Sequence, residues 1–355
     1  MPAPELKIKN RTAYYRKAVT SPDFESERVL VHDAFEYAEL WLSRKCKDAL
    51  PNWKQAKTYF EASQNLPPAS APLTLYYSFL NAVKALLIVK GESSSPYHGV
   101  TGDFISSKRA LQNEIITFHS KGVIGALSRY FQEKEQSTEH TLKAVLSNLP
   151  FIHRAFRHTY TSHPDVFIPL RNLVYRKTLK DNYVWLSADV VGRFRNKISL
   201  KTLPAEFEHD LGYTKRFGYP DRCVIRSKKR IKWISRSASN AEYSLATQKL
   251  RKLHRETRRN ISYISASPHL WYIKRNMAKA IRIDRENLTL MISAMHRLSE
   301  LSRYDPGGLM KYLESQSAWL LTEFIRLAPL QFVDELVCEM TNQEFALPGI
   351  RPTST

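Results

Sequence analysis

The sequence feature that most constrains the fold is an apolar stretch, residues 72–90, with the sequence PLTLYYSFLNAVKALLIVK. Its apolar residues recur at spacings of three and four on two faces, whereas an amphipathic surface helix has one apolar face. A narrow polar stripe that includes Asn81 and Lys84 separates the two faces. Because a charge at the centre of a bilayer is costly, Lys84 argues against a membrane span. The stretch therefore predicts the buried central helix of a soluble core.

Helical periodicity on both sides of this stretch predicts a mainly α protein. Residues 32–163 would form the N-terminal helical half of the core and residues 284–343 its C-terminal half. Between them, in residues 164–283, the apolar residues become β-branched or aromatic and partly alternate, which is typical of strands. We therefore expect a helical bundle with a small β-rich basic insertion in the middle of the chain. Residues 1–31 would be an N-terminal arm and residues 344–355 a loose tail.

Local patterns give this organisation its detail. Strand-like segments are expected inside the insertion at residues 166–177, 183–195, 222–235, 261–265 and 270–274. Helical spacing is expected in the N-terminal half at residues 109–118, 123–133, 139–147 and 151–158. Near the end of the chain, residues 315–327 and 330–340 would form a last helical pair around Pro329, because proline tends to end a helix.

The charge of the chain is strongly unbalanced, with 54 Lys and Arg against 34 Asp and Glu and a formal net charge of +20. A charge of this size favours acidic partners, of which nucleic acid is the commonest for a soluble protein. The cations concentrate in residues 215–236, with nine Lys or Arg against one acid, and in residues 249–259, with six against Glu256. A solvated face that binds nothing and an anionic membrane surface are the alternative explanations.

Clusters of this kind suit phosphate contacts, since each neutralised phosphate releases counterions. We expect the contacts to come from the cations Arg226, Lys228, Lys229, Arg230, Lys232, Lys249, Lys252, Arg255 and Arg259. Trp233 would stack on a base if the target is single-stranded. Contacts to the phosphate backbone carry no sequence information, so no sequence preference is predicted.

A second candidate site is the histidine-rich segment FIHRAFRHTYTSHP, residues 151–164. Arg154 and His158 are four residues apart, so on a helix they would share a face and act together on a phosphate. The structural alternative is a basic helix end that the helix dipole favours. The spacing of five between His153, His158 and His163 does not match a helix face, so no metal site is expected.

A third candidate is a pocket beside the central helix, onto which Asn81, Lys84, His98 and Arg303 would converge. His98 follows the central helix in a loop by composition, and loops concentrate functional residues. The alternative is that the stretch containing Arg303 and Asp305 locks a turn by hydrogen bonds.

Several common chemistries have no motif in this chain. The patterns GxxxxGK[ST], GxGxxG after a strand, GxSxG and HExxH are all missing, so an ATPase, a dehydrogenase or a serine hydrolase is not expected, and no cofactor is predicted. Cys46, Cys223 and Cys338 match neither a disulfide framework nor a zinc pattern. The N-terminal residues lack the apolar core of a signal peptide, so we expect a cytoplasmic protein without a membrane partner.

Two stretches resemble a known family. APLTLYYSFLNAVKALLI followed by YHGV, and later LSRYDP after a long helix, look like the YaaC-like protein family over roughly residues 52–337. This resemblance implies architecture more than activity. The central helices are also similar to HEPN domains, a helical class that contains RNA-cleaving toxins and defence effectors. HEPN ribonucleases carry an Arg and a His on one helix, but the spacing of Arg154 and His158 is shorter and no Asn follows Arg154.

The sequence thus favours a cytoplasmic protein that binds DNA or RNA through its basic insertion, in a bacterial defence or stress-response system. The first alternative is a HEPN-like endoribonuclease that needs no metal and uses Arg154 and His158. The second alternative is a scaffold whose basic surface docks an acidic protein partner or a second copy of the chain.

Overall fold

The computed structural model describes residues 3–106, 108–211, 223–234, 238–265, 270–278 and 281–347. The chain folds as two compact units. The first, which we call the sheet unit, comprises residues 1–29, 166–277 and 342–355. The second, the helical unit, comprises residues 30–165 and 278–341.

The α-helices are, in chain order, α1 Ala34–Lys45, α2 Leu50–Ser63, α3 Ala71–Val89, α4 Gly122–Phe131, α5 Leu142–Ser147, α6 His153–Thr159, α7 Lys197–Lys201, α8 Asn240–Arg258, α9 Asn287–Tyr304, α10 Pro306–Leu313 and α11 Ala318–Thr341. The strands are β1 Lys7–Ile8, β2 Arg11–Thr12, β3 Val29–Leu30, β4 Val100–Phe104, β5 Glu114–Phe118, β6 Glu139–Thr141, β7 Phe167–Lys177, β8 Tyr183–Val190, β9 Phe207–His209, β10 Cys223–Ser227, β11 Ile231–Lys232, β12 Ile261–Tyr263, β13 Trp271–Lys274 and β14 Phe345–Ala346.

Helix α3 is the centre of the helical unit, and α2, α9 and α11 pack against it. Its buried residues lie on most sides of the helix, and Phe79 stacks on Phe332 of α11 with ring centroids 3.9 Å apart. The prediction of a buried central helix is therefore confirmed. By length and composition Ala71–Val89 could cross a membrane, but 67% of its most apolar window is buried. That burial is compatible with the core helix of a soluble protein.

The helical unit also contains a three-stranded antiparallel sheet, in the order β4-β5-β6. Its middle strand lies in a segment for which helical spacing was expected, residues 109–118, so that prediction is wrong. The physical reason is visible in the strand itself, where Glu114, Ile116 and Phe118 are buried and the residues between them are half-buried. This period of two is that of a strand.

Helix α11 continues through Pro329 and has buried residues along most of its length. The predicted pair of helices around this proline is therefore wrong. Proline lacks an N–H group and removes one helical hydrogen bond. Here the helix tolerates that loss, since Phe324, Ala328 and Phe332 on either side are all buried in the core.

The sheet unit is built on a seven-stranded antiparallel sheet in the order β12-β13-β7-β8-β10-β9, with β11 paired to β8. Helix α8 covers one face, where Leu250 and Leu253 join the buried cluster of that face. The N-terminal segment contributes Leu6, Ile8 and Tyr15 to the same cluster. It also forms bridges to β7 through Glu5 and Tyr14.

The predicted fold class, a mainly α helical bundle, is wrong. The structure is 48% helical and 18% strand, with a large curled antiparallel sheet, and is of mixed α and β type. The strand-like segments were located correctly, since β7, β8, β10 to β11, β12 and β13 lie within them. The error was in the size of the sheet, because these strands form one large sheet and not a small insertion. Segments separated by up to about a hundred residues pair into one sheet with its own core, and such pairing leaves no local signal in the sequence.

Candidate functional site

The basic tract of the sheet unit lies on a bulge in an otherwise regular strand pair. Strand β8 pairs first with β10, from Cys223↔Val190 to Arg226↔Ser187, and then with β11, from Ile231↔Val184. Five steps from Arg226 to Ile231 thus oppose three steps from Ser187 to Val184, so two additional residues are accommodated on the basic strand. Bulges of this kind redirect side chains. Three consecutive exposed cations, Lys228, Lys229 and Arg230, occupy this bulge.

The bulge directs these cations toward both faces of the sheet. Lys229 Nζ lies 2.6 Å from Glu256 Oε1 on α8, so it points to the face that the helix covers. The Arg230 guanidinium lies over the ring of Trp185, 5.5 Å from its centroid. Trp185 follows the core residue Val184 and therefore faces the other way, as alternation along a strand requires.

Helix α8 adds two further exposed lysines beside the bulge. Lys249, Lys252 and Glu256 are spaced three and four apart and share one face of the helix. The ion pair of Glu256 with Lys229 places this face next to the bulge. Lys232 of β11, two residues after Arg230, is also exposed. We call the set Lys228, Lys229, Arg230, Lys232, Lys249 and Lys252 the basic margin. Within the described residues, Lys229 is the member of this set that has an ion-pair partner, and the other five have none.

An aromatic ring that sequence reasoning missed lies beside the basic margin, on the face of the sheet opposite to α8. Tyr183 is 42% exposed and stands directly across from Lys232 in the β8–β11 pair. Directly opposed residues in an antiparallel pair have neighbouring side chains. Because Ile231 and Val184 are in the core, Lys232 and Tyr183 share the opposite face. In the sequence Tyr183 is only a tyrosine at the start of a strand-like segment, and that position does not by itself indicate a binding site.

Two predicted contacts require correction. Arg226 Nε donates to Glu208 Oε1 at 2.7 Å, and Arg226 Nη1 lies 3.6 Å from Asp210 Oδ1, so its charge is already balanced within the sheet. Trp233 is only 7% exposed and is part of the buried cluster. Its ring has a T-shaped contact with Tyr243, which leaves little surface for a base.

The other predicted cations of this unit are less available. Arg255 and Arg259 are half-buried on or next to α8, and each has an interaction partner of its own. Residues 215, 216, 222 and 236 of the first basic cluster lie outside the described residues. The phosphate-contact hypothesis therefore depends on the basic margin.

The two units differ sharply in charge. The sheet unit holds 32 Lys and Arg against 13 Asp and Glu, a formal charge of +19. The helical unit holds 22 against 21, a formal charge of +1. Nearly all of the net charge of +20 thus belongs to the unit that carries the basic margin.

The helical unit contains a half-open cavity of about 740 Å³, lined in part by the 96–101 loop and by α9. Backbone hydrogen bonds fix this loop, since Val123 and Ile124 at the start of α4 donate to the carbonyls of Tyr97 and His98. Gly99 has a φ of +84°, and an added Cβ would meet the Lys121 carbonyl oxygen at 2.6 Å. Only glycine adopts this positive φ without strain and leaves room for the Lys121 carbonyl oxygen. The His98-Gly99 element thereby holds the imidazole of His98 at the cavity wall.

Three rings meet beside this cavity. Tyr76 of α3 lies 5.4 Å from His98 and 4.8 Å from His296 of α9, measured between ring centroids. Burial is the main cause that lowers the pKa of His296 to about 3, so its imidazole is neutral near pH 7. Within the part of the chain that the structure describes, neither the Tyr76 hydroxyl nor His296 Nδ1 has a hydrogen-bond partner. Glu300 Oε2 is 3.8 Å from that nitrogen, too far for a hydrogen bond.

The carboxylate at the cavity, Glu300, is held from two sides. Gly102 donates its backbone N–H to Glu300 Oε1 at 3.2 Å, and Arg297 Nη1 donates to Glu300 Oε2 at 2.9 Å. Arg297 in turn bonds the fully buried Glu114 through Nε and Nη2, at 2.9 and 2.6 Å. Tyr312 donates to the same carboxylate at 2.6 Å. The cavity wall is therefore rigidly ordered by a satisfied polar network.

The predicted pocket is partly assembled in this structure. Burial lowers the pKa of His98, and the nearby charges of Lys84 and Arg303 lower it further, while Glu300 opposes them. Lys84 and Arg303 thus lie within electrostatic range of His98. Asn81 instead donates its side-chain amide to the Tyr77 carbonyl, 2.8 Å away, within its own helix.

Sequence reasoning missed Tyr76, His296 and Glu300. Tyr76 lies within the apolar stretch of α3, and His296 directly follows the apolar residues Ala294 and Met295 of α9. A signal was present, because His296, Glu300 and Arg303 are spaced four and three apart and share one face of α9.

The LSRYDP stretch has a structural explanation that involves its aspartate. Asp305 Oδ1 accepts from the Gly308 N–H at 2.9 Å and so caps α10. Asp305 also forms an ion pair with Arg109. The aspartate therefore orders the turn, while Arg303 remains exposed near the cavity.

Arg154 and His158 are both exposed on the short helix α6. His158 lies 5.6 Å from Trp319 between ring centroids. Their spacing of four places them on one face, as predicted. Among the described residues, no group of three His, Cys, Asp or Glu side chains is placed to hold a metal ion.

Fold and site together define a protein of mixed α and β structure, with a strongly basic antiparallel-sheet unit and a nearly neutral helical unit that carries a polar cavity. The chain belongs to the YaaC-like protein family, which it matches over residues 13–340. The match extends beyond the predicted residues 52–337 and includes most of the N-terminal arm. Comparison with curated proteins gives no significant match, and neither does comparison with solved structures.

Proposed function

We propose that this protein binds nucleic acid through the basic margin of its sheet unit, in the bacterial cytoplasm and within a defence or stress-response system. The observation that carries the proposal is the unequal division of charge, +19 on the sheet unit and +1 on the helical unit. A general excess of Lys and Arg for solubility would have no reason to concentrate in one unit. A concentrated positive field attracts a polyanion.

The local geometry supports the same proposal. A bulge presents three consecutive cations, and α8 and β11 add three more on adjoining surfaces. Five of the six have no ion-pair partner among the described residues, the exception being Lys229, so their charge is available to phosphates. Tyr183 beside Lys232 offers a ring on which a base of a single strand can stack, a contact of about 1–3 kcal/mol per base.

The test is a fluorescence-anisotropy titration with single- and double-stranded DNA and RNA in EDTA, over a range of salt concentrations. We expect binding that weakens steeply with salt, because counterion release drives it. The strands should remain intact. Absence of binding at low salt would overturn the proposal and favour the protein-partner scaffold. Cleaved RNA would favour the metal-free ribonuclease.

A pair of aromatic variants locates the binding surface in the same assay. Tyr183→Ala should weaken single-stranded binding about fivefold or more and leave duplex binding unchanged. Trp319→Ala, an exposed aromatic of the helical unit beside His158, should have no effect. The reverse result would place the nucleic acid next to Arg154 and His158 and contradict the proposed surface.

A further inference from the structure

The cavity of the helical unit has the features of a ligand site that the nucleic-acid proposal does not use. Its volume of about 740 Å³ falls in the range of small-molecule sites, roughly 300–1,000 Å³. On its wall and directly behind it lie polar groups that have no hydrogen-bond partner among the described residues. Buried polar groups in native structures nearly always have a partner, so each exception calls for an explanation.

Tyr76, which packs behind the wall against His98 and His296, is the clearest exception. It is only 2% exposed, yet its hydroxyl has no hydrogen-bond partner among the described residues. His296 Nδ1, on the cavity wall, is a second such atom. Leaving a buried polar group without a partner costs about 1–3 kcal/mol. Both atoms are shielded in this structure, so a ligand that reaches them after a small shift of the wall side chains would remove that cost.

The charges around the cavity favour an anionic ligand. Lys121 lines the cavity directly, and Lys84 and Arg303 lie within electrostatic range of His98 on its wall. The single carboxylate on the wall, Glu300, already accepts from Arg297 and from the Gly102 backbone. The cations are therefore only partly balanced.

The positive charge at this cavity comes from side chains and not from a helix N-terminus. The first N–H groups of α4 beside the cavity donate within the protein, Gly122 to Ser95 Oγ and Val123 and Ile124 to the carbonyls of the 96–101 loop. Lys and Arg side chains are thus the groups that would hold a phosphate here.

The rim of the cavity adds an aromatic ring. Tyr97 lines the cavity and is 70% exposed. An exposed ring at the mouth of a charged cavity suits the flat face of a nucleobase, since bases stack on aromatic side chains without regard to sequence. A ligand with a base at the rim and a phosphate near the cations would use both features.

We propose that the cavity lined by residues 96–101, residues 119–121 and α9 binds a mononucleotide. Lys84, Lys121 and Arg303 hold its phosphate, the Tyr76 hydroxyl and His296 Nδ1 hydrogen-bond its polar groups, and Tyr97 stacks on its base. This site is independent of the basic margin, which belongs to the other unit, so either assignment can fail without the other.

The experiment is isothermal titration calorimetry of the full chain with AMP, adenosine and ribose 5-phosphate. AMP should bind with one site per chain and at least about tenfold more tightly than adenosine, which lacks the phosphate. Ribose 5-phosphate should bind more weakly than AMP because it lacks the base. Equal affinity for AMP and adenosine, or no binding of AMP at millimolar concentration, would overturn the proposal.

Single-residue variants identify which side chains contact AMP. Arg303→Ala, at an exposed position, should weaken AMP binding about tenfold, and Tyr76→Phe, which removes only the hydroxyl, about fivefold. Tyr97→Ala should weaken AMP and leave ribose 5-phosphate unchanged. The matched controls Arg44→Ala and Lys311→Ala, exposed cations of the same unit, should bind AMP as the wild type does. Wild-type affinity in Arg303→Ala and Tyr76→Phe together would contradict this site.

Discussion

At the scale of single residues, the buried His254 should make the stability of the sheet unit depend on pH. His254 of α8 is fully buried. Its Nδ1 lies 2.8 Å from the Tyr175 hydroxyl and its Nε2 lies 2.8 Å from the Ala18 carbonyl oxygen. A carbonyl only accepts, so Nε2 carries the proton and Nδ1 accepts from the tyrosine. Both bonds are thus made by the neutral imidazole.

This arrangement predicts acid destabilisation of the sheet unit. Burial and the charge of Arg258 lower the pKa of His254 to about 3, whereas an unfolded histidine titrates near 6.5. Between these values the unfolded state binds more protons, so the stabilising contribution is complete above about pH 6.5 and is lost as the pH falls toward 3. From pH 6.5 to 5 the loss is about 2 kcal/mol.

The measurement is an NMR titration of the histidine ring signals, with the His254 signal assigned by its disappearance in His254→Gln. Its chemical shift should stay constant from pH 7.5 to pH 5. A titration midpoint near 6.5 would show that the ring is not held neutral in the way described.

The cavity shows how far residues could be interpreted from sequence. Asn81, Lys84, His98 and Arg303 were predicted to converge. Lys84 and Arg303 lie within electrostatic range of His98, whereas Asn81 is hydrogen-bonded within its own helix. Tyr76 and His296 were missed because an aromatic or a histidine within an apolar helix is usually a core residue. Their role depends on hydrogen bonds that they lack, and a missing partner is visible only in three dimensions.

At the scale of elements, the N-terminus of α10 offers a matched pair of adjacent glycines. An added Cβ at Gly308 would meet Asp305 Oδ2 at 2.2 Å and Arg109 Nη1 at 2.6 Å, while a Cβ at Gly307 would meet nothing within 4 Å. Asp305 is the residue that caps this helix. The two positions therefore differ in surroundings although both belong to the same helical turn.

We predict opposite effects for the two substitutions. Gly308→Ala should lower the free energy of unfolding by about 1 kcal/mol or more, because it displaces the capping aspartate. Gly307→Ala should raise it by about 0.5–1 kcal/mol, since alanine favours helix more than glycine does. Chemical denaturation of both variants beside the wild type measures this. Equal stabilisation by both would show that the Asp305 cap is unimportant.

Elements with strong local periodicity were predicted well, and those that depend on distant partners were not. Helix α3 and helix α9 were recognised because their apolar spacing is long and regular. Strand β5 was taken for a helix because five residues give too little pattern to decide. The size of the seven-stranded sheet was not predicted because β7 pairs with β13, slightly more than a hundred residues away in the chain, and such pairing leaves no local signal in the sequence.

At the scale of the whole molecule, the central claim is that the excess charge serves nucleic-acid binding at one surface. Net charge was available from the sequence. Its assignment to a unit required the fold, since the N-terminal segment joins residues 166–277 in the sheet unit. The fold also removed Arg226 and Trp233 from the contact set and added Tyr183.

The most direct test compares two triple variants with the same loss of charge. Lys228→Ala, Arg230→Ala and Lys232→Ala together remove three cations from the basic margin. Arg44→Ala, Lys45→Ala and Lys47→Ala together remove three exposed cations from the helical unit, also one Arg and two Lys. Affinity for the best-bound nucleic acid is measured against salt concentration for both and for the wild type.

The first variant should bind at least about tenfold more weakly at moderate salt. Its slope of log affinity against log salt should be smaller by about two to three, since each phosphate contact contributes about 0.7–0.9. The second variant should match the wild type in slope. Equal losses in both variants would mean that total charge alone matters, and would contradict a binding surface at the basic margin.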